Sequence, residues 1–308
     1  ETASPLTIAQ EGQVWYNSTS NVLKGYGQIG TRTYSAGGDL NNKRYAWQIC
    51  GTQTAAFGAG GDGYPIGPPR DLPNTEQYDG TTWSEENNLA TAKGGGVRMF
   101  GTQTAAVLFM GDSTQSWNGT SWTAVNDRNS PMSEGSGLGI QTAGMACGGY
   151  GSGAYQDTCE TYDGTSWTET NDLLQARGGD GAGGTTTAGL CAGGYFNPPA
   201  QNLNNSESYD GTCWSEGNNR QTAVSDAQMG GTQTSAISFG GTITGTSNST
   251  TAEDWNGTSW ATITAYPLGL RGIGVAGSAS AALGAGGIGD PNASVVTTNE
   301  WSTPNAIK

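Results

Sequence analysis

Tyr78-Asp79-Gly80-Thr81-Thr82-Trp83 is the stretch that decides the fold, because the chain repeats this pattern five times. Each copy has an aromatic residue, Asp or Asn, then Gly-Thr, any residue and Trp; the others span 117–122, 162–167, 209–214 and 255–260. Asp-Gly or Asn-Gly between two extended, aromatic-rich runs is a strong hairpin signal, since a type I′ turn needs positive φ at both central residues. The repeat therefore predicts a tight β-hairpin in every copy.

A two-residue loop at Asp79-Gly80 fixes the expected register of the first hairpin. Tyr78 then lies opposite Thr81 and Glu76 lies opposite Trp83, with all four side chains on one face. The glutamate recurs at the same place in later copies, as Glu160, Glu207 and Glu253. A carboxylate used once per repeat fits a structural role better than an asymmetric catalytic pair or a calcium site. We expect each to accept hydrogen bonds from the backbone or from an Arg or Lys of a neighbouring repeat.

A second segment, Gly51 to Gly61, recurs ahead of the hairpin. Its Thr54 returns as Thr104, Thr142, Thr187, Thr234 and Ser280, and the second glycine of its ending falls at Gly61, Gly111, Gly149, Gly194, Gly241 and Gly287. With a preceding glycine-tolerant run such as Arg44 to Cys50 and the two sides of the hairpin, each unit has four short strands. Six such units predict an all-β fold, a six-bladed β-propeller with four-stranded blades.

The two ends of the repeat region indicate how the ring closes. The sixth unit ends with Thr297 to Trp301, a third strand with no fourth strand after it. Thr31 to Ser35 is an unpaired fourth-strand pattern ahead of the first unit. We therefore expect the N-terminal strand to complete the last blade and remove an exposed edge. The expected domains are an attachment leader over 1–29 with a small hairpin at 13–24, the propeller over 30–303 and a tail over 304–308.

Composition narrows the range of functions. Lys and Arg number 12 against 26 Asp and Glu, a net charge of −14, so we expect no nucleic-acid partner. No apolar run approaches the roughly 20 residues that span a bilayer, so we expect no membrane insertion. The chain has no histidine, which removes the imidazole ligands that a copper oxidase needs, and its arginines are spread out rather than clustered as a sialidase requires. We expect no enzymatic activity, no metal and no other cofactor.

The five cysteines, Cys50, Cys147, Cys159, Cys191 and Cys213, fall at different places in the repeat, and none has the CxxC spacing of a zinc site. Buried thiols that act as small apolar residues are the expected state. A disulfide between Cys147 and Cys159, on strands that we expect to pair, is the alternative.

The repeat resembles two known groups of proteins. Its Gly doublet, the aromatic residue and Trp that follow, and the basic residue in Ala92-Lys93 and Ala176-Arg177 resemble the kelch repeat of β-propellers over about residues 30–303. The GTQTAA and YDGTSW variants, together with the leader at 11–26, resemble tail-fibre or virion structural proteins of tailed bacteriophages of marine bacteria.

The phage resemblance implies a non-enzymatic virion component, a tail fibre or similar appendage located in the extracellular particle. Its expected partners are other virion proteins, through the leader, and a glycan or protein of the host surface. Two alternatives stay open: a decoration or assembly protein of the virion, and a bacterial extracellular adhesin.

Loop lengths locate the candidate binding site. In an up-and-down blade, two kinds of loop emerge on the same face: those between the second and third strands and those between blades. The loops between second and third strands differ in length from blade to blade: 62–74, 112–114, 150–157, 195–205, 242–250 and 288–296. Binding residues concentrate on loops held by a rigid scaffold, and exposed tyrosines supply contact area at low entropic cost. We predict that Tyr64, Tyr150, Tyr155, Tyr195 and Phe196 contact the partner. Drift of these loops without function is the alternative.

Overall fold

A computed structural model describes residues 32–64, 70–243, 248–290 and 292–303, together with the backbone of 14–17, 22–25 and Ser247. These residues form strands, turns and irregular connections, and no membrane-spanning helix occurs among them. Six four-stranded antiparallel sheets follow one another along the chain. The fold is therefore a six-bladed β-propeller, as the repeat predicts.

The strands follow in chain order. Ahead of the blades lie β1 (Val14–Asn17), β2 (Val22–Gly25) and β3 (Thr33–Ala36). Blade 1 has β4 (Ile49–Thr52), β5 (Ala55–Ala59), β6 (Thr75–Tyr78) and β7 (Trp83–Glu86); blade 2 has β8 (Arg98–Thr102), β9 (Ala105–Met110), β10 (Ser113–Trp117) and β11 (Trp122–Val125); blade 3 has β12 (Ser136–Ile140), β13 (Ala143–Gly151), β14 (Ala154–Tyr162) and β15 (Trp167–Thr170).

The last three blades each carry an extra two-stranded sheet between their second and third strands. Blade 4 has β16 (Gly181–Thr185), β17 (Ala188–Ala192), β20 (Ser206–Tyr209) and β21 (Trp214–Gly217), with β18 (Tyr195–Phe196) and β19 (Gln201–Asn202) as the extra pair. Blade 5 has β22 (Gln228–Thr232), β23 (Ser235–Phe239), β26 (Ala252–Trp255) and β27 (Trp260–Thr262), with β24 (Thr242–Ile243) and β25 (Ser247–Asn248). Blade 6 has β28 (Gly274–Ser278), β29 (Ala281–Ala285) and β32 (Thr298–Ser302), with β30 (Ile288–Gly289) and β31 (Ala293–Ser294).

The N-terminal strand closes the ring. β3 pairs antiparallel with β32 and supplies the fourth strand of blade 6, with Tyr34 opposite Trp301. The Tyr34 ring contacts Trp301, Tyr266 and Phe239 at centroid distances of 4.9, 5.3 and 5.7 Å. The predicted closure is confirmed. In the leader, β1 and β2 also pair, whereas the turn between them and the tail at 304–308 lie outside the described residues.

The aromatic hairpin has a different register from the predicted one. Tyr78 lies opposite Trp83, and Glu76 lies opposite Glu85, so the predicted pairing is wrong by two residues. Only Gly80, with φ of 93°, has positive φ in this turn, which rules out a type I′ turn at Asp79-Gly80. The cause is the Asp79 side chain, whose Oδ1 accepts the backbone N–H groups of Thr81 and Thr82, both at 2.8 Å. Tyr78, Glu76 and Trp83 still share one face, because a shift of two residues preserves strand parity.

Four of the six blades bury an arginine–glutamate pair. Arg44 Nη2 lies 2.6 Å from Glu76 Oε1, and the other pairs are Arg128–Glu160, Arg177–Glu207 and Arg220–Glu253. The glutamates also accept backbone N–H groups, as Glu76 does from Asn41 and Asn42. The predicted structural role is confirmed, although each arginine lies on the connection that enters the glutamate's own blade. In blades 2 and 6 the glutamate position carries a neutral amide instead. Gln115 bonds to the backbone of Ala90 and Thr91, and Asn299 bonds to the Tyr266 hydroxyl.

Hydrogen bonds between blades involve the repeated Trp and Gln side chains. Trp83 Nε1 donates to Thr298 Oγ1 of the preceding blade at 2.9 Å, and the indoles of Trp122, Trp167 and Trp260 do the same to Thr75, Thr114 and Ser206. From the other side, Gln53 Nε2 donates to the Trp301 carbonyl at 2.8 Å, which ties blade 1 to blade 6. The repeated motif is therefore part of the packing between blades.

All five cysteines are free in the structure. Cys50, Cys147, Cys159 and Cys191 are buried, as predicted, whereas Cys213 is exposed because it occupies a hairpin-turn position that carries Thr or Ser in the other copies. Cys147 and Cys159 do lie directly opposite each other on paired strands, but they form no disulfide.

Candidate binding face

The face that carries the variable loops, hereafter the variable face, is built on a closed ring of six backbone hydrogen bonds. One residue from the entry of each blade donates its N–H to the carbonyl of the equivalent residue in the preceding blade, at 2.6 to 3.3 Å. All six residues have positive φ: Ala46, Gly96, Glu134, Gly179, Asp226 and Gly272. Glycine adopts this conformation without strain, but Glu134 and Asp226 place carboxylates there instead.

Blade 3 extends a hairpin out of its sheet onto this face. β13 and β14 are nine residues long and continue past the blade to a two-residue loop at Ser152-Gly153, where both residues have positive φ. We predicted a loop over 150–157, and the structure corrects this to a continuous β-hairpin. Positive φ at both residues of a two-residue hairpin loop is the geometry of a type I′ turn, which is therefore found here.

Three tyrosines form a row across this hairpin and its neighbour. Tyr150 and Tyr155 are cross-strand partners with ring centroids 5.1 Å apart, and Tyr155 meets Tyr195 of β18 at 5.4 Å, both edge to face. Gly178 permits this contact, since a Cβ there would lie 2.8 Å from Cε1 of Tyr155. Burial, with a smaller contribution from Glu134, raises the pKa of Tyr155 to about 12, so its hydroxyl stays protonated at neutral pH. We call Tyr150, Tyr155 and Tyr195 the tyrosine row.

A groove of about 380 Å³ runs beside the tyrosine row, between blades 3, 4 and 5. Tyr155 and Tyr195 form one side, and polar groups form much of the rest: Glu134, Gln201, Asn202, Ser225, Asp226 and Thr242. Burial and the nearby Glu134 raise the pKa of Asp226 above its usual range. The groove thus combines aromatic rings with neutral and acidic hydrogen-bonding groups, and among the residues that the structure describes no Lys or Arg lines it.

Glu134 and Asp226 also line a second cavity, of about 300 Å³, at the axis of the ring. Arg98, Gln228 and Arg271 lie on its wall. Arg98 is buried and donates to the carbonyls of Gly135 and Val97, and it forms no ion pair within the described part of the chain. Burial lowers the pKa of this guanidinium, against the opposing influence of nearby carboxylates. Within the described ranges, no group of three or more Cys, Asp or Glu side chains is arranged to hold a metal ion.

The structure brings together some of the predicted contact residues and separates others. Tyr155 and Tyr195 line the groove, while Tyr150, 43% exposed, points to a shallow cavity above blade 2. Phe196 lies on β18 beside Tyr195 but does not line the groove. Tyr64 is in another sector, where it packs on Arg70 and its carbonyl accepts the N–H of Ser294. That any of the five contacts a partner stays a prediction.

Several polar residues of the groove escaped prediction from sequence. Asn202 and Thr242 lie in variable loops but resemble ordinary loop residues. Glu134 and Asp226 did leave a signal, since they occupy a repeat position that is glycine in blades 2, 4 and 6. A charged residue in place of a repeated glycine marks a departure from the scaffold pattern.

Comparison with known proteins does not add a family. No protein-family model matches the chain, and no curated protein matches it. The fold and the geometry of the variable face therefore provide the basis for function.

Proposed function

We propose that this protein is a non-enzymatic binding module of a bacteriophage virion, a tail fibre or similar appendage, which uses the variable face to bind the host surface. The observation that carries this proposal is the contrast between the two faces of the ring. One face repeats the same short turns in blade after blade, whereas the other bears hairpins of different length and the tyrosine row. Variation confined to one face of a rigid scaffold is typical of a recognition surface.

The location in a virion depends on the sequence resemblance, whose motifs are the GTQTAA and YDGTSW variants of the repeat and the leader. In this proposal the leader, with its β1–β2 hairpin, attaches the propeller to other virion proteins. The propeller then holds the variable face outward.

Negative-stain images of virions labelled with an antibody against this chain test the proposal. A signal at the tail tip is expected. A signal on the capsid would instead favour a decoration protein, and intact virions without any signal would contradict a virion role of either kind.

A further inference from the structure

The groove beside the tyrosine row has the chemistry of a carbohydrate site. We propose that it binds a neutral sugar at the end of a glycan; this inference depends on the proposed binding function of the variable face. Its volume of about 380 Å³ lies at the lower end of the range for small-ligand pockets, about 300–1,000 Å³. The groove therefore suits a terminal sugar unit better than a long polymer.

The aromatic side of the groove supplies flat apolar surface. Tyr155 and Tyr195 lie edge to face at 5.4 Å, and Gly178 leaves room for the Tyr155 ring. An aromatic side chain with a polar tip can pack against an apolar ligand surface and hydrogen bond at its edge. A sugar ring presents both kinds of surface, since its C–H groups lie on its faces and its hydroxyls on its rim.

The polar side of the groove lacks hydrogen-bond partners that a sugar would supply. Gln201 lines the groove with an exposed side chain, and its amide makes no hydrogen bond to the described residues. Asn202 uses its Nδ2 to bind the Thr242 carbonyl at 2.6 Å, and its Oδ1 accepts no bond from the described part of the chain. A hydroxyl-rich ligand provides donors and acceptors for both amides.

The charge of the groove selects a neutral ligand. Glu134 and Asp226 line it, no Lys or Arg of the described ranges does, and the whole chain carries a net charge of −14. Sialylated, sulfated or phosphorylated glycans would be repelled by these carboxylates. The two carboxylates would accept hydrogen bonds from sugar hydroxyls instead.

An array of immobilised neutral glycans, acidic glycans and a lysine-rich peptide tests the proposal with the full chain. We expect binding to one or more neutral glycans, at least tenfold weaker for Tyr155→Ala and for Tyr195→Ala. Gln201→Ala should weaken binding several-fold without lowering the midpoint of thermal unfolding, because the deleted amide makes no bond within the described protein. The control Ile140→Ala, an exposed apolar side chain at the β12–β13 turn on the opposite face, should bind within twofold of wild type.

Binding to acidic glycans alone, to the peptide alone or to no glycan would overturn the proposal. So would neutral-glycan binding that Tyr155→Ala and Gln201→Ala leave unchanged in proteins that unfold at the wild-type temperature. Adsorption of the labelled chain to host cells, measured separately, distinguishes failure of the sugar site from failure of the proposed binding function. Adsorption without glycan binding removes only the sugar site, whereas absence of adsorption removes the proposed function itself.

Discussion

At the scale of single residues, one indole lacks the hydrogen bond that its counterparts make. Trp214 Nε1 is buried without a partner among the described residues, because the position that carries Thr or Ser in four other blades is Cys159 in blade 3. The Tyr34 hydroxyl is likewise buried without a partner in the described ranges, because blade 5 has Ala252 where those other blades have the Thr or Ser acceptor. The interface between blades 3 and 4 therefore contains a buried indole N–H without an acceptor among the described residues.

We predict that Cys159→Ser stabilises the protein. The new hydroxyl can accept the Trp214 N–H, as Ser206 accepts that of Trp260 at 2.7 Å, which should raise the free energy of unfolding by about 0.5–1.5 kcal/mol. Chemical denaturation followed by tryptophan fluorescence measures the change. Thr75→Val, which removes the acceptor of Trp122, is the matched control and should destabilise by about 1–3 kcal/mol. Destabilisation by Cys159→Ser would contradict the assignment.

The turn carboxylates predict how stability depends on pH. Backbone N–H groups of the turn lower the pKa values of Asp79, Asp163 and Asp210. A carboxyl whose pKa is lower in the folded state stabilises the fold above its unfolded pKa, about 3.9, and this contribution is lost as the pH falls through the folded pKa. Acid should therefore weaken these three turns but not those of Asn118 and Asn256, which accept the same bonds without a titrating group.

The triple variant Asp79→Asn, Asp163→Asn, Asp210→Asn tests this dependence. Its stability at pH 7 should stay close to that of wild type, while its loss of stability between pH 5 and pH 2.5 should be smaller. Urea unfolding at several pH values gives the comparison. An equal loss in both proteins would show that the turns do not contribute to acid sensitivity.

At the scale of elements, the buried arginine of each ion pair comes from one of two positions. In blades 1 and 4 the first position is leucine and the second is arginine: Leu40 and Arg44, then Leu173 and Arg177. In blades 3 and 5 the first position is arginine and the second is apolar: Arg128 and Met132, then Arg220 and Val224. The connection that enters each of these four blades therefore buries one apolar and one basic side chain, in either order. The guanidinium reaches the same glutamate position from both places.

We predict that the two positions can be exchanged in blade 1. Arg44→Leu alone leaves the buried carboxylate of Glu76 without its ion-pair partner, which should cost about 3–5 kcal/mol. Adding Leu40→Arg reproduces the order found in blade 3 and should recover most of that loss. Denaturant unfolding of the single and double variants measures both steps. A double variant no more stable than Arg44→Leu would contradict the exchange.

The sequence was informative about elements wherever a pattern repeats. Six copies of the segment around Thr54 revealed the number of blades, and the unpaired strand around Tyr34 revealed how the ring closes. The hairpin register was mispredicted because a side-chain bond from Asp79 overrides the turn type that Asp-Gly favours between strands. The arginine partners were missed because they alternate between two positions, which hides them from a search for one fixed spacing.

The candidate site was only partly predictable for a related reason. Loop variation identified the variable face, and exposed tyrosines identified one side of the groove. The other side is assembled from residues of different blades, such as Glu134, Asn202 and Thr242, whose proximity arises only when the ring closes. Sequence separation conceals contacts of this kind, which no local pattern encodes.

At the scale of the whole molecule, the ring separates stability from recognition. The repeated turns, tryptophans and ion pairs hold neighbouring blades together, and the N-terminal strand leaves no open edge between blade 6 and blade 1. The hydrogen-bonded ring at the axis forms a fixed floor for the variable face. Hairpins on this face can therefore differ in length while the blades beneath them stay the same.

Blade 2 shows how a blade closes without such a hairpin. Its second and third strands are joined by Gly111-Asp112 alone, with Met110 opposite Ser113. Deleting residues 150–156 from blade 3 would leave Gly149-Asp157-Thr158, the counterpart of Gly111-Asp112-Ser113. This deletion removes Tyr150 and Tyr155 with a connection that the protein already uses. We expect the variant to fold.

Competition for host adsorption tests most directly whether this protein binds through its variable face. The purified full chain, added in excess, should reduce virion adsorption to host cells. The variant lacking 150–156 should compete at least tenfold less well, whereas Thr142→Lys with Thr187→Lys, exposed on the opposite face of blades 3 and 4, should compete like wild type. Undiminished competition by the folded deletion variant, together with loss of competition in the lysine variant, would place recognition on the opposite face and contradict the account.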